Sequence, residues 1–367
     1  MAQFQIRKDD FSALRVVSTG ASVAIEEGEV KVKINRFAFT ANNITYAAAG
    51  DLIGYWQFFP ALGDSADGWG VIPVWGFAEI TDSKVDGLPV GDKLFGYFPP
   101  ANDLTMVPVN ISENRFVDGA EHRSALPPGY NTYRRVNSEL GYDASMDNER
   151  MLLWPLFITS FCLWDSLQVN NWYEAEQLIV ISASSKTSIG MAYALHEDDK
   201  APKVVGMTST RNLDLVNSLG LYDSSVSYDS ITDIDPNIPA VIVDMSGNSE
   251  VLGKLHSHLG DNMKFCVNVG ITHWEATGTN EGIITERSEM FFAPSHIQMR
   301  IKDWGVEGFD KKSADFITQT VAKSRSWLKL KTLSGLSGLE GIYPDICAGT
   351  VAPDEGIIIE MEELRKD

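Results

Sequence analysis

Cysteine is scarce: 3 in 367 residues, at Cys162, Cys266 and Cys347, with no C-x-x-C and no cysteine–histidine cluster. That spacing excludes a disulfide framework and a four-cysteine zinc lobe, and it leads us to expect a reducing compartment and no bound metal. Basic charge is also short, with 30 Lys and Arg against 50 Asp and Glu and a formal charge of −20. Without a local basic patch, such a surface repels nucleic acid and anionic lipid, so neither is an expected partner. Met1–Lys8 has no apolar signal core, and the sequence reads without a membrane-length apolar run, so a cytoplasmic protein is expected.

Glycine is missing where its absence is most informative. Leu178 to Ile181 is an apolar β-type run, Ser182-Ala183-Ser184-Ser185 follows, and Lys186 to Ala192 has a helical pattern. A buried strand, a tight turn and a helix N-terminus in that order form the site a dinucleotide needs, because unpaired N–H groups and the positive helix end meet a pyrophosphate. The small side chains at 182–185 permit close backbone approach, and hydroxyls of Ser184, Ser185 and Thr187 can cap the helix or donate to phosphate. Lys186 adds a cation, and Gly190 is placed where the helix packs closely. The same segment also reads as an ordinary βα turn of an α/β protein.

Length, 44% apolar and 22% charged residues describe a two-domain globular chain with ample core. From Phe4 to about Pro155, short strand-like runs alternate with Gly, Pro, Asn and Asp: Val30 to Ile34, Ile72 to Ile80, Lys93 to Tyr97 and Leu104 to Val109. From Trp154 onward, strand-then-helix units recur: Leu178–Ile181 with Ser188–His196, Val204–Met207 with Asn212–Leu219, Ala240–Val243 with Glu250–Leu259, then Phe265–Val269. That alternation predicts a parallel sheet with crossover helices. Phe309 to Leu330 has helical spacing, and Gly356 to Glu360 reads as a closing strand.

The order of the pieces resembles the medium-chain dehydrogenase/reductase superfamily in its zinc-free, quinone-oxidoreductase-like branch. The resemblance rests on Glu29–Ile34, Asn42–Tyr46, Gly76–Glu79, Gly91-Asp92-Lys93-Leu94-Phe95-Gly96, Pro155–Ser160, Val205–Ser209, Val243–Gly247 and Val269-Gly270. More narrowly, Ser182–Thr187, Ile72–Ala78 and Val269–Trp274 resemble the DUF2855 family. The resemblance implies an α/β fold in which a GroES-like β-barrel domain, residues 1–155 completed by 301–367, accompanies a doubly wound Rossmann domain at 156–300. A cleft between the two is then expected to hold NADPH and substrate. The Asn42–Tyr46 segment would line it, and Thr159, Gly247 and Gly270 would lie at the cofactor. Where the family carries a glycine-rich phosphate loop, only Gly190 is retained.

Within that frame, Thr208, Ser209 and Arg211 stand where NAD-preferring enzymes place an acid, which predicts NADP(H); a capped helix start with a surface arginine explains the same residues. Tyr46 is the first candidate proton donor, with Asn42 and Thr45 able to hold a carbonyl oxygen, although a buried phenol in a satisfied core fits equally. His273, after Gly270, would lie near the reacting carbon or serve as a structural histidine. Tyr55, Trp56, His122, Tyr130 and Tyr133 are candidate substrate contacts in long irregular stretches, which salt bridges pinning a loop would also account for. His256 and His258, two apart on a helix, face different ways and are read as surface residues.

The activity this predicts is zinc-independent hydride transfer from NADPH to an activated C=C or C=O of a small molecule such as a quinone or enone, in a possible homodimer. A degenerate member that binds nucleotide without turnover, or one that runs a redox-neutral lyase reaction, shares the same sequence.

Overall fold

A computed structural model describes residues 1–20, 24–139, 141–270 and 281–361. The chain forms two compact units, Met1–Leu152 with Lys329–Asp367, and Leu153–Leu328.

The first unit opens with β1 (Ala2–Arg7), β2 (Leu14–Ser18) and β3 (Val30–Phe39), then α1 (Ala41–Ala48), β4 (Trp69–Gly70), β5 (Val74–Ser83), β6 (Lys93–Phe98), β7 (Asp103–Met106), β8 (Pro108–Val109), β9 (Arg115–Asp118) and β10 (Thr132–Arg135). In β3, Val30, Val32 and Ile34 alternate inward while Lys31 and Lys33 turn out, the period that specifies a half-buried strand. β3 carries β5 along one edge, and β7 along the other. Asn42–Tyr46, read from sequence only as a cleft-lining segment, forms α1, because Thr40 and Asn43 make a reciprocal capping box at its start.

The long helix α2 (Asp147–Val169) leads into the second unit. Together with the turn before it, this segment, 144–169, is long and apolar enough to cross a membrane, contrary to the sequence reading. Its Leu163 and Leu167 are instead packed in a core with strand residues. The second unit continues with β11 (Gln177–Ile181), α3 (Lys186–His196), β12 (Lys203–Thr208), α4 (Leu213–Leu219), β13 (Ser224–Ser227), β14 (Ala240–Asp244), α5 (Ser249–Leu259), β15 (Met263–Asn268), β16 (Ser288–Met290) and α6 (Ala293–Ser324). The six strands are parallel and ordered β13-β12-β11-β14-β15-β16. β11 and β14 are buried along their whole length, as strands covered on both faces must be. Ile179, Ile181 and Ile242 face α5, while Leu178, Val180, Val241 and Val243 face the core holding Leu163 of α2 and Met191 of α3.

The chain then returns to the first unit with β17 (Lys329–Ser334), α7 (Gly335–Cys347) and β18 (Glu355–Glu360), β18 pairing with β3. The unit boundary expected near residue 300 falls at 328, because α6 packs Phe309 on Phe161 and Cys162 of α2. The helix expected at Phe309–Leu330 starts sixteen residues earlier at Ala293, breaks its geometry at Gly305 (φ 75°), and ends at Ser324. The unit with the parallel sheet is a Rossmann domain, its order matching the doubly wound 3-2-1-4-5-6 pattern.

His256 corrects the reading of the α5 histidines. It is fully buried, its Nδ1 accepting the Ile284 N–H at 3.0 Å, with no partner for Nε2 among the described residues. Burial, and secondarily Arg287, lowers its pKa from 6.5 to about 4. The unfolded chain therefore takes up this proton first as pH falls. Its contribution is intact above about pH 6.5 and is lost progressively toward pH 4, by about 3 kcal/mol in all. Equilibrium denaturation across that range should show His256→Asn removing about one proton of pH dependence; an unchanged slope would place the titration elsewhere.

Candidate active site

The two units each bring together a set of the candidate side chains. In the parallel-sheet unit, the set lies at the C-terminal ends of the strands, where the order reverses between β11 and β14 and where doubly wound sheets bind ligands. β11 leaves its last residue into Ser182, which takes a left-handed backbone at φ 66°. Glycine normally holds that conformation, and serine there is strained by about 1–2 kcal/mol. The turn is held from several sides. The Ala183 N–H donates to the Met207 carbonyl, and the Tyr222 hydroxyl donates to the Ala183 carbonyl at 2.8 Å. Ser182 also hydrogen-bonds Tyr228, whose pKa burial raises and those bonds partly restore.

Ser184 is buried, its Oγ 3.1 Å from Thr208 Oγ1 and accepting from Asn212 Nδ2. Ser184 and Thr208 thus tie the loop to the end of β12. Ser185 is the N-cap of α3 and accepts from the Ser188 N–H. Ser185, Lys186 and Thr187 are half-buried at the positive end of this helix. Gly190 packs against α2 rather than its own strand: a Cβ there would fall 2.5 Å from the Phe157 ring and 2.6 Å from Ser160 Oγ. Thr159 spends its hydroxyl on the Pro155 carbonyl within α2.

Beyond β12, Ser209 is half-buried and Arg211 exposed, while Thr210 donates to Asp229 at 3.0 Å. At the β14 exit, buried Asp244 accepts from the Ser246 N–H and hydroxyl and from the Gly247 N–H; burial raises its pKa and these bonds offset part of the rise. The Gly270 N–H donates to the Asp244 carbonyl. A Cβ at Gly270 would lie 3.1 Å from the Met245 carbonyl, so this glycine keeps two strand exits close together. Asp244, Gly247, Asn268 and Ser288 line a small pocket here. His273 lies outside the described residues.

In the β-rich unit, Tyr46, Tyr55, Tyr97 and Tyr130 converge. The Tyr55 and Tyr130 hydroxyls are 2.9 Å apart, and the Tyr46 ring lies 4.7 Å from Tyr55 and 5.7 Å from Tyr97. Trp75 and Phe58 complete the walls, each within 5.3 Å of the Tyr97 ring. Burial first, and neighbouring phenols second, raise all four hydroxyls above the ordinary tyrosine range, so each is a neutral donor at physiological pH. At Tyr46 the rise is opposed by a hydrogen bond from Asn42.

The remaining candidates stand apart from this cluster. Trp56 packs beside Phe11 and under Lys8. His122 is exposed, with Nε2 3.1 Å from the Phe58 carbonyl. Tyr133 is fully buried against Phe98 and Phe116, and its hydroxyl donates to the Tyr97 carbonyl at 2.6 Å. It supports β6 from behind, together with a buried ion pair between Arg123 and Asp118. Sequence pattern alone marks Tyr97 only as part of a strand. The signal for it is its register opposite Trp75, which puts two large side chains with polar edges on one sheet face.

These two units define a medium-chain dehydrogenase/reductase fold, a GroES-like β domain with a Rossmann domain. Residues 37–352 match the family described as "Protein of unknown function (DUF2855)", and the chain belongs to that family. Among solved structures it is similar to CurA from Vibrio vulnificus in complex with NADPH, at TM-score 0.65 and 12% identity, covering 99% of this chain and 100% of that one. It is also similar to the CurK enoyl reductase, at TM-score 0.58 and 12% identity over 98% and 99% of the two chains. The yhdH oxidoreductase from Salmonella enterica in complex with NADP gives TM-score 0.55 and 13% identity over 99% and 100%. No curated protein matches the chain in sequence.

Asp118 also accepts from the Val107 and Ala120 N–H groups, so the Arg123–Asp118 pair closes several bonds at once. Arg123→Met leaves that carboxylate buried and without its cation, which should cost about 3–5 kcal/mol in urea denaturation. A loss below about 1 kcal/mol would mean the pair does not anchor this loop.

Proposed function

We propose that this chain is an NADP(H)-dependent oxidoreductase that, without a metal, adds hydride to an activated C=C or C=O of a quinone- or enone-like molecule. The observation that carries the reading is the exit of β12. Thr208-Ser209-Thr210-Arg211 stands there beside the N-terminus of α3, with no carboxylate in the run itself and with Asp229 held by the Thr210 hydroxyl. An acid at that point would repel a 2′-phosphate, whereas a guanidinium grips it with charge-assisted hydrogen bonds. The NADPH and NADP named with the CurA and yhdH structures lend support.

The residues fit such a cofactor. The side chains of Ala183 and Ser184 are turned inward, so the glycine-poor loop still leaves little bulk beside its backbone, and Gly270, where a Cβ would press on the Met245 carbonyl, keeps the exits of β14 and β15 close together. Ser185, Lys186 and Thr187 would hold the pyrophosphate, Ser209 and Arg211 the 2′-phosphate, and Gly247 and Gly270 the stretch beyond. When bound, the cofactor supplies the hydride. Tyr46 hydrogen-bonds the acceptor's carbonyl oxygen and gives its proton to the enolate that hydride addition leaves. The O–H electron pair stays on the phenol oxygen, where the Asn42 N–H stabilises it until solvent restores the proton.

Nucleotide binding without turnover is the second reading, favoured by the absence of glycine from Ser182 to Ser185. Two variants separate the readings. In equilibrium titration, NADPH should bind at least about tenfold more tightly than NADH, and Arg211→Ala should erase most of that difference. Tyr46→Phe should slow NADPH consumption with a quinone and enone panel by about 10²–10⁴ while leaving NADPH affinity unchanged. Tight NADPH binding with no acceptor reduced would select the second reading; no binding of either nucleotide at millimolar concentration would remove both.

A further inference from the structure

Tyr97 has no part in the reaction sketched above, yet its hydroxyl is the odd member of the tyrosine cluster. Its side chain is 0% exposed, and its Oη has no hydrogen-bond partner among the described residues. Leaving a buried hydroxyl unpaired destabilises a fold, and a phenylalanine would fill the same space without that penalty. The other hydroxyls of the cluster are occupied. Tyr55 and Tyr130 bond each other, and Tyr46 takes a hydrogen bond from Asn42.

The position of Tyr97 is fixed unusually well. On β6 it pairs directly with Trp75 of β5, and its carbonyl receives the Tyr133 hydroxyl, which Arg123 also contacts. Its ring is packed 4.8 Å from Tyr130 and 5.7 Å from Tyr46. The hydroxyl therefore sits inside a wall of aromatic faces next to the proposed proton donor.

We infer that the Tyr97 hydroxyl is a specificity-determining donor for this site, completed by the oxygen of an uncharged aromatic ketone or quinone. Every polar group that converges with it (Asn42, Tyr46, Tyr55, Tyr130 and Trp75) is neutral, and Arg123, which reaches the Tyr133 hydroxyl behind β6, is paired with Asp118. Such a set rewards a neutral oxygen acceptor on a flat ring and gives no counter-charge to a carboxylate or phosphate. The role deepens the proposed reaction and rests on it for the identity of the acceptor, but the binding step is measured without turnover.

The test uses 1-tetralone and its deoxygenated analogue tetralin, titrated into the full chain and followed by tryptophan fluorescence, with no pyridine nucleotide present. The unaltered protein should bind the ketone at least about tenfold more tightly, and Tyr97→Phe should shrink that ratio about three- to tenfold. The same variant should melt about 2–4 °C higher, because an unpaired buried hydroxyl is gone. A single fluorotyrosine placed at position 97 gives a readout independent of the variant's folding: its fluorine resonance should shift with tetralone and not with tetralin. An unchanged ketone preference in Tyr97→Phe, no preference in the unaltered protein, or a fluorine signal indifferent to both ligands would each overturn the assignment. A ketone preference in the unaltered protein that Tyr97→Phe shrinks, together with no NADPH consumption by any acceptor, would remove the hydride reaction and leave the role of Tyr97 standing.

Discussion

The parallel-sheet unit depends on one turn. The chain leaves β11, buried along its whole length, and is already capped into α3 four residues later. Glycine would make that passage without strain. This chain puts Ser182 there in a left-handed conformation and holds it from outside, through Tyr228, Tyr222, Met207 and the Ser184–Thr208–Asn212 contacts. A glycine loop would be permissive by itself, whereas a serine loop is defined by its neighbours. The geometry of the helix N-terminus is therefore coupled to the exit of β12, which places the residues proposed to read the 2′-phosphate in the same network as those proposed to hold the pyrophosphate.

The two units hold contrasting electrostatics. At the strand ends of the Rossmann unit, Lys186 opens α3 and Arg211 lies just before α4, on a chain of net charge −20. Charges several Debye lengths away are screened, so the local cations and the helix dipole set the potential that an anion meets there. The tyrosine cluster has the opposite character. Its hydroxyls are neutral, and its strength comes from low local polarity, where a neutral hydrogen bond gains more than it would in water. The proposed phosphate site and the proposed proton-donor site therefore draw on different electrostatics.

Most of the parallel sheet was legible because buried parallel strands are continuous apolar runs, and crossover helices change the period from 2 to 3.6. The strand, turn and helix at 178–196 were legible for the same reason: Leu178–Ile181 announces a strand end whatever follows. The rest was hidden by interactions that lie far apart in sequence. Nothing local tells that α6 begins at Ala293, since its docking depends on Phe309 meeting Phe161 and on Asp165 meeting His296 and Arg300. His256 looked exposed because helical spacing gives only a direction, and the segment that buries it, around Ile284, arrives 28 residues later. Tyr133 and Tyr130 looked equivalent in sequence, yet they fall on opposite sides of β6, one behind the sheet and one in the cluster.

That division of labour explains why a buried ion pair sits beneath an aromatic site. Hydrophobic residues of equal volume would stabilise the loop at 118–123 as well as Arg123 and Asp118 do, or better, because two desolvated charges only roughly repay their own burial. They would not direct hydrogen bonds. Asp118 orders the Val107 and Ala120 N–H groups, Arg123 reaches the Tyr133 hydroxyl, and that hydroxyl fixes the Tyr97 carbonyl. Each contact is directional, so the chain of bonds sets where β6 lies more tightly than packing alone. A site whose donors are neutral has no strong charge to pull a ligand into register. It must have its hydroxyls in place beforehand, and the ion pair behind the sheet is what puts them there.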